Sequence, residues 1–158
     1  MKETTITIPH YPTLHLRYVV LDYNGTLAKD GELKTGAKSL LKSLTKRYEI
    51  HVITSDTFGS VQAQLEGFDI TVKVLNSPNH TDEKASYIQE LDADSCAAVG
   101  NGNNDAEMLK SAALAIALLG DEGCSTPTLM NSDIVCKSIE DALELLLNEK
   151  RLVATLRK

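Results

Sequence analysis

The sequence lacks any long apolar run. Residues 1–9 hold no apolar stretch of signal-peptide length, and no segment approaches the roughly 20 apolar residues that a membrane-spanning helix needs. Repeats, low-complexity tracts and linker-like stretches are also missing, so residues 1–158 are expected to form a single domain with one core. These absences predict a cytoplasmic protein that does not enter a membrane.

Basic residues and cysteines are also scarce. The 16 Lys and Arg residues are outnumbered by 22 Asp and Glu residues, which gives a net charge of −6. That balance argues against non-specific binding to nucleic acid or to an anionic membrane, because both are negatively charged. Cys96, Cys124 and Cys136 are odd in number and show no paired metal-ligand spacing, so we interpret them as reduced structural residues.

The most informative stretch is an apolar run that ends in an acid. Val19 to Leu21 are typical of a buried strand, and Asp22 follows them directly. A carboxylate at that position must be solvated, paired or bound to a metal. Ligands of open α/β sheets bind just outside the carboxyl ends of the strands, which favours an active-site loop. The following Asn24-Gly25 pair is equally typical of a β-hairpin turn, so this stretch alone leaves both interpretations open.

The rest of the chain alternates strand-like and helix-like segments. Helical spacing is found after most of the strands, including a helix that Thr81 would cap and that carries Lys84 in its first turn. Strands alternating with helices predict an α/β fold, a doubly wound, mostly parallel, Rossmann-like sheet flanked by helices. Further central strands are predicted at 50–53, 70–74, 96–99, 114–118 and 134–136, and Phe58, Val61 and Leu65 should share one helix face.

Two small hairpins are predicted outside the parallel sheet. Alternating residues between Ile6 and Leu16 predict a small amino-terminal β-hairpin at the sheet edge. Asp30-Gly31 is typical of a tight turn, so the segment from Leu27 to Leu33 should form an exposed hairpin over the end of the first central strand.

Four polar residues should meet at one edge of this sheet. Asp22 and Thr54 end strands, Lys84 lies near a helix start, and Asp105 ends a Gly/Asn-rich loop after another strand. Each has an ordinary structural explanation by itself, such as a helix cap or a solvated lysine. Together they supply what phosphoryl transfer needs, which is a nucleophile, donors to the phosphoryl oxygens and ligands for a divalent metal.

These residues resemble the motifs of the haloacid dehalogenase superfamily of phosphohydrolases and phosphotransferases. The resemblance runs from Val19 to about Leu118 and is most specific in the first and last motifs. The matching segments are Asp22-Tyr23-Asn24-Gly25-Thr26, Thr54-Ser55-Asp56, Lys84, and Gly100-Asn101-Gly102-Asn103-Asn104-Asp105.

Within that superfamily the motifs are most similar to the phosphorylation domain of P-type ATPases, so the chain resembles the soluble, stand-alone, P-type ATPase-like proteins. The stretches between motifs are too short for a cap domain, which leaves the hairpin from Leu27 to Leu33 as the lid candidate. The site should therefore either be open to a large substrate or be covered by a neighbouring subunit of a homo-oligomer.

The resemblance implies a role for each matched residue. Asp22 would attack a phosphate monoester to form an aspartyl-phosphate, with Asn24 at the position of the usual acid/base residue. Phosphoryl oxygens would be held by Thr54, Ser55, Lys84 and Asn104. Mg²⁺ would be the cofactor, and its ligands would come from Asp22, Asn24 through its backbone carbonyl, Asn101 and Asp105.

Two asparagines depart from the superfamily pattern. Most of its phosphatases have an aspartate where this chain has Asn24, and an amide cannot exchange a proton with the leaving group or with water. Asn101 replaces another aspartate, which removes a negative charge from the metal site. The resemblance therefore implies slow turnover and weakened metal binding.

Two other functions remain compatible with the sequence. The chain could be a phosphate-binding or regulatory domain that kept the phosphate-binding loops and lost efficient catalysis, as Asn24 and Asn101 suggest. It could also be a phospho-accepting receiver domain, although receivers place an acidic pair on the first strand and the acceptor on a later one. The partner would be a phosphorylated small molecule or a phosphorylated macromolecule.

Overall fold

The fold is built on a six-stranded parallel sheet in a computed structural model that describes residues 2–56 and 59–158. The strands are β1 (Thr4–Ile6), β2 (Leu14–Leu16), β3 (Tyr18–Asp22), β4 (Ala28–Lys29), β5 (Glu32–Leu33), β6 (Glu49–Thr54), β7 (Ile70–Val74), β8 (Cys96–Gly100), β9 (Leu114–Leu118) and β10 (Ile134–Cys136). The helices are α1 (Thr35–Thr45), α2 (Ser60–Gln64), α3 (His80–Leu91), α4 (Ala106–Ser111), α5 (Thr126–Met130), α6 (Ile139–Leu147) and α7 (Glu149–Leu156).

The strand order of the main sheet is β10-β9-β8-β3-β6-β7, with every neighbouring pair parallel. This is the doubly wound order in which the chain first builds outward from β3 on one side and then on the other. It confirms the predicted fold class. Receiver domains have a different strand order, in which the first strand lies next to the edge, so the receiver interpretation is wrong.

Side-chain alternation along β3 assigns its residues to the two faces of the sheet. Val19 and Leu21 pack into the layer that contains α1 and α6, whereas Val20 packs into the layer that contains α3 and α4. Successive side chains of a strand point to opposite faces, so Asp22 lies on the same side as Val20. The strand thus directs its terminal carboxylate towards α3.

Helix α3 begins two residues earlier than the sequence indicated. The side chain of Asn79 accepts a hydrogen bond from the Asp82 N–H at 3.1 Å and caps the helix. Thr81 lies inside the helix, so the prediction that it is the cap was wrong, and Lys84 lies in the second turn rather than the first. The cap prediction for α6 is confirmed, because Ser138 accepts from the Asp141 N–H at 3.2 Å.

The two predicted hairpins are present. Strands β4 and β5 pair antiparallel around Asp30 and Gly31, whose φ angles of 52° and 85° are both positive, as a tight hairpin turn requires. Strands β1 and β2 also pair antiparallel, but they form a sheet of their own and do not extend the edge of the main sheet. Phe58, which was predicted to share a helix face with Val61 and Leu65, lies outside the described residues.

The described residues between β3 and α3 hold only the β4-β5 hairpin, α1, α2 and strands β6 and β7. No cap domain is found there, as predicted. Helices α5 and α7 were not predicted. Across residues 2–56 and 59–158, every helix is too short or too polar to cross a membrane.

Candidate active site

The predicted site lies where the carboxyl ends of β3, β6 and β8 meet. In the parallel register Asp22 is paired with Ile53, and Leu21 is paired with Val99, so the loops after these strands are neighbours. They surround a cavity of about 610 Å³. Seven of the eight residues predicted for the site line it, namely Asp22, Asn24, Thr54, Ser55, Lys84, Asn101 and Asn104.

Lys84 holds three strand-end and loop side chains together. Its Nζ donates to Oδ1 of Asp22 at 3.0 Å, to Oδ1 of Asn104 at 2.9 Å and to Oδ1 of Asp105 at 2.7 Å. Only 3% of its side chain is exposed. An ammonium group is buried at this level only when it is paired, so the three acceptors explain its position.

Asp105 is the predicted site residue that does not line the cavity. It is fully buried, and its Oδ2 accepts from the N–H groups of Asn101 and Gly102 at 3.0 and 3.1 Å. A Cβ at Gly100 would lie 2.5 Å from the Asp105 carboxyl carbon, so only glycine fits at that position. Since Lys84 occupies the other oxygen, the structure gives Asp105 the geometry of a support for Lys84 and the loop rather than that of a direct metal ligand.

The Asp22 carboxylate accepts few hydrogen bonds for a buried acid. Besides Lys84, it accepts one long bond, at 3.4 Å, from the Thr26 hydroxyl to Oδ2. Burial and the nearby charge of Asp105 outweigh Lys84 and raise the pKa of Asp22 to about 7. For Lys84 the two carboxylates outweigh burial and raise the pKa of its ammonium group. The site therefore holds two acids against one base, and an added cation would balance it.

This electrostatic strain predicts that the metal-free Asp22→Asn variant is more stable than the wild type at alkaline pH. A carboxyl group with an ordinary pKa of 3.8 and a folded pKa of about 7 keeps its proton longer when folded. Wild-type stability should then fall as the pH rises from about 4 to 7, because the unfolded chain binds fewer protons than the folded one. We expect the variant to gain up to a few kcal/mol in free energy of unfolding at pH 8.

Urea unfolding in EDTA at pH 5 and pH 8 measures this gain. The difference between Asp22→Asn and wild type should be larger at pH 8 than at pH 5. A wild type that is the more stable protein at pH 8 would contradict the assignment of electrostatic strain to Asp22.

The second motif lies at the end of β6, which neighbours β3 on the side away from β8. Thr54 is 2% exposed, and its Oγ1 accepts from the Asp56 N–H at 3.0 Å, which fixes the loop after β6. A hydroxyl group can donate as well as accept, so Thr54 has a proton to offer a ligand oxygen. Ser55 is exposed and lines the cavity next to it.

The loop after β3 turns sharply at Gly25, whose φ of 79° favours glycine. The Gly25 N–H donates to the Ala28 carbonyl at 3.0 Å. The N–H groups of Thr26 and Ala28 both donate to the backbone carbonyl of Tyr23. Asn24 therefore lies exposed at the cavity with a carbonyl oxygen to which no described N–H group donates. The bridge between Asn24 and Ala28 is parallel, so this segment is not the alternative two-residue hairpin turn.

One wall of the cavity was missed by the sequence analysis. The loop after β9 contributes Glu122, Gly123, Cys124 and Ser125, and the first turn of α3 contributes His80. The loop is tied to Asn101, whose Nδ2 donates to the Gly123 carbonyl at 3.1 Å and whose carbonyl accepts from the Ser125 N–H at 2.8 Å. A polar, glycine-containing loop directly after a central strand was the signal that could have revealed it.

The β4-β5 hairpin was the predicted lid, and the structure corrects this expectation. None of the residues 27–33 lines the cavity. Tyr23 Oη instead donates to the Gly31 carbonyl at 3.1 Å, and the Leu33 N–H donates to Gln64 at 3.1 Å, which holds the hairpin aside. The cavity is lined instead by the loop after β9.

The donor set fits a magnesium ion. Asp22, the Asn24 carbonyl and Asn101 offer oxygen atoms that would hold such an ion, beside an excess of negative charge. Within residues 2–56 and 59–158 no three His, Cys, Asp or Glu side chains cluster as a metal centre. Mg²⁺ is commonly held by one or two carboxylates and several waters, so it needs no such cluster.

Sequence comparison relates the chain to two proteins of Methanocaldococcus jannaschii. It is 60% identical over 60 residues to the uncharacterized protein MJ0073, an alignment that covers 38% of this chain and 64% of that protein. It is 46% identical over 39 residues to the uncharacterized protein MJ0072, covering 25% of this chain and 89% of that protein. The chain thus spans somewhat less than two thirds of MJ0073. No protein-family model matches it.

Solved structures show the fold more fully. The 3-deoxy-D-manno-octulosonate 8-phosphate phosphatase of Moraxella catarrhalis, in complex with magnesium, phosphate and KDO, superposes with a TM-score of 0.70 at 16% identity, covering 90% of this chain and 94% of that one. A putative HAD superfamily (subfamily III A) hydrolase of Legionella pneumophila gives 0.71 at 15% identity, covering 89% and 87%.

A cobalt-bound deoxy-D-mannose-octulosonate 8-phosphate phosphatase of Haemophilus influenzae gives a TM-score of 0.70 at 11% identity, covering 90% of this chain and 94% of that one. Two of these neighbours are thus phosphatases, and the third is a putative HAD superfamily hydrolase, in agreement with the motif resemblance. The chain therefore has the haloacid dehalogenase fold, and it belongs to the same family as the MJ0072 protein.

Proposed function

We propose that the protein is a Mg²⁺-dependent phosphohydrolase or phosphotransferase that forms an aspartyl-phosphate on Asp22. The observation that carries the proposal is the position of Lys84, whose buried ammonium group bonds Asp22 and Asp105 beside a polar cavity. A lysine there neutralises a nucleophilic carboxylate and an incoming phosphoryl group together. The likeness to solved phosphatases supports this chemistry.

The metal would be held by this chain's own oxygens. The candidate ligands are the Asp22 carboxylate, the Asn24 carbonyl and the Asn101 amide oxygen, whose residues all line the cavity. When bound, Mg²⁺ would offset the negative charge of the phosphoryl group. Asp105 would act through its charge and through the loop it holds, because Lys84 and two N–H groups already occupy its oxygens.

The proposed reaction has two steps on Asp22. One carboxylate oxygen forms a bond to phosphorus as the bond from phosphorus to the alcohol oxygen breaks. Water then attacks the same phosphorus, and the bond to Asp22 breaks to release phosphate. Through both steps Lys84, the Thr54 hydroxyl, the Ser55 N–H and the Asn104 amide would hold the phosphoryl oxygens.

Slow turnover follows from Asn24. The leaving alkoxide needs a proton, and the attacking water must lose one. The exposed Asn24 amide can neither give up a proton to the alkoxide nor take one from the water. Substrates with good leaving groups should therefore react best, and the aspartyl-phosphate should accumulate. A lasting phosphoenzyme would also agree with the resemblance of the motifs to the P-type ATPase phosphorylation domain.

The substrate class follows from the cavity only in outline. Its volume of about 610 Å³ is typical of sites for small molecules, which favours a phosphorylated small molecule over a macromolecule. The named substrate of the solved neighbours, 3-deoxy-D-manno-octulosonate 8-phosphate, belongs to a first panel of compounds to assay. Covering of the site by a second subunit also stays a prediction.

A second candidate function is a phosphate-binding domain without efficient catalysis. The asparagines at positions 24 and 101 favour it, because they remove a proton carrier and a negative charge from an otherwise complete site. Such a domain would bind phosphate or beryllofluoride and would not hydrolyse esters.

One experiment separates the two functions. Purified wild type and the Asp22→Asn variant are assayed for hydrolysis of an aryl phosphate with Mg²⁺ and with EDTA. Both proteins are then treated with acetyl phosphate, and intact mass spectrometry after acid quench measures any covalent phosphate. We expect Mg²⁺-dependent hydrolysis and a phosphate adduct in the wild type only. Phosphate binding without hydrolysis or adduct would favour the second function, and activity that survives in Asp22→Asn would exclude Asp22 as the nucleophile.

A further inference from the structure

The loop after β9 carries a carboxylate that the motif resemblance does not account for. Glu122 lies on this loop and lines the same cavity as Asp22 and Asn101. We infer that Glu122 supplies the second carboxylate of the Mg²⁺ site and so replaces the charge that Asn101 lacks. This inference rests on the proposed Mg²⁺-dependent function.

The carboxylate of Glu122 lies close to the backbone of Gly25. A Cβ built on Gly25 would lie 2.8 Å from Oε1 of Glu122 and 3.1 Å from Nδ2 of Asn101. The two side chains therefore both lie next to Gly25, and they line the same cavity as Asn24. Any residue larger than glycine at position 25 would displace them, so the turn leaves a space that these polar groups fill.

The backbone of the loop is held in this place from both ends. The N–H groups of Leu119 and Gly120 donate to the carbonyls of Cys136 and Lys137 at 2.9 and 3.0 Å, next to the carboxyl end of β10. At the other end, Asn101 binds Gly123 and Ser125. Glu122 is therefore presented by a segment with fixed backbone on each side.

The neighbouring acid of the loop faces away. Asp121 forms an ion pair with Lys34 at 3.0 Å, at the start of α1, and does not line the cavity. The two adjacent carboxylates therefore differ in their surroundings, because Asp121 is paired with Lys34 and Glu122 lines the cavity. Glu122 makes no ion pair within the part of the chain that the structure describes, which leaves its carboxylate available to a cation at the cavity.

The chemistry of magnesium suits this arrangement. The ion favours carboxylate and carbonyl oxygens and keeps several of its waters. Asp22, the Asn24 carbonyl and the Asn101 amide alone would provide a single carboxylate on the cavity side. Glu122 adds a second one, either to the ion or to one of its waters. It is exposed, so its ionised form needs no buried partner.

Calorimetric titration of the metal-free protein with Mg²⁺ tests the inference without any assay of activity. We expect Glu122→Gln to weaken Mg²⁺ binding roughly 10-fold or more, as loss of a supporting carboxylate typically does. Asp121→Asn removes the same charge from the same loop and should change the affinity less than twofold. Adding Asn101→Asp to Glu122→Gln should restore most of the lost affinity, because it returns the missing charge on the facing loop.

The outcomes distinguish this inference from the proposed function. If the wild type binds Mg²⁺ and Asp22→Asn does not, while Glu122→Gln binds as well as the wild type, the role of Glu122 is wrong and the function stands. Equal losses in Glu122→Gln and Asp121→Asn would also overturn it, since general loop charge would then explain the effect. If the wild type does not bind Mg²⁺ at all, the proposed function itself fails. Near-ultraviolet circular dichroism of each variant checks that the fold is retained.

Discussion

Replacing Asn24 by Asp is expected to raise the rate of Mg²⁺-dependent phosphate monoester hydrolysis by about 10²–10⁴-fold, the usual contribution of a general acid/base group. Asn24 is exposed at the cavity, and its side chain makes no hydrogen bond among the described residues, so a carboxylate fits there without repacking. An aspartate could protonate the leaving group and then accept a proton from the attacking water. The gain should be largest for alkyl phosphates, whose leaving groups most need a proton.

Steady-state assays on an alkyl and an aryl phosphate measure this gain. The double variant Asp22→Asn/Asn24→Asp is the control, and it should be inactive because the nucleophile is missing. The phosphoenzyme of Asn24→Asp should have a shorter lifetime than the phosphoenzyme that accumulates in the wild type. An Asn24→Asp variant that is no faster than the wild type on either substrate would show that the missing acid does not limit turnover.

Replacing Lys84 by Met is expected to lower the free energy of unfolding by about 3–5 kcal/mol, the usual cost of removing one partner from a buried charge network. Met has a similar length, so packing is largely retained, but Asp22 and Asp105 would face each other with no cation between them. Because domains of this size have only about 5–15 kcal/mol of stability, the variant would be close to unfolding. Urea denaturation at neutral pH in EDTA measures the loss.

Lys73→Met provides the matched control. Lys73 pairs with Glu83 at 3.5 Å and is partly exposed, and such surface pairs contribute about 0–1 kcal/mol. A large loss in both variants would show that the methionine substitution itself is destabilising. A loss below about 1 kcal/mol in Lys84→Met would contradict the picture of two acids held by one buried base.

The order of elements could be predicted because it depends on local pattern. All six strands of the main sheet match predicted apolar runs or alternations to within a residue or two, and the first, β3, ends at Asp22 as expected. A parallel strand that is buried on both faces needs a nearly continuous apolar run. Such runs can be recognised in a single sequence. The parallel, doubly wound arrangement then followed from the alternation of strands with helices.

The candidate site could be predicted for the same reason. Asp22 and Thr54 end strands and the Asn101 loop directly follows one, and parallel strands bring their carboxyl ends to one edge of the sheet. A side chain's role also depends on which of its atoms are already bonded. Asp105 was expected to face the metal, yet its two oxygens are taken by Lys84 and by the N–H groups that follow Gly100.

Local pattern was also insufficient at helix starts and loops. Asn79 and Thr81 are both of residue types that cap helices, and the structure shows that Asn79 is the one that accepts from the Asp82 N–H. The turn sequence of the β4-β5 hairpin was recognised correctly. The hairpin is nevertheless hydrogen-bonded to Gln64 and does not line the cavity.

The sequence by itself determined the strands, the fold class and the residues that meet at the sheet edge, because periodicity and strand ends are local properties. Tertiary structure alone decided that the loop with Glu122 borders the cavity, that Lys84 is shared by two acids, and that the hairpin is not a lid. Each of these facts depends on contacts between segments far apart in the chain. Such contacts are selected by packing and charge in the folded molecule, and no local pattern records them.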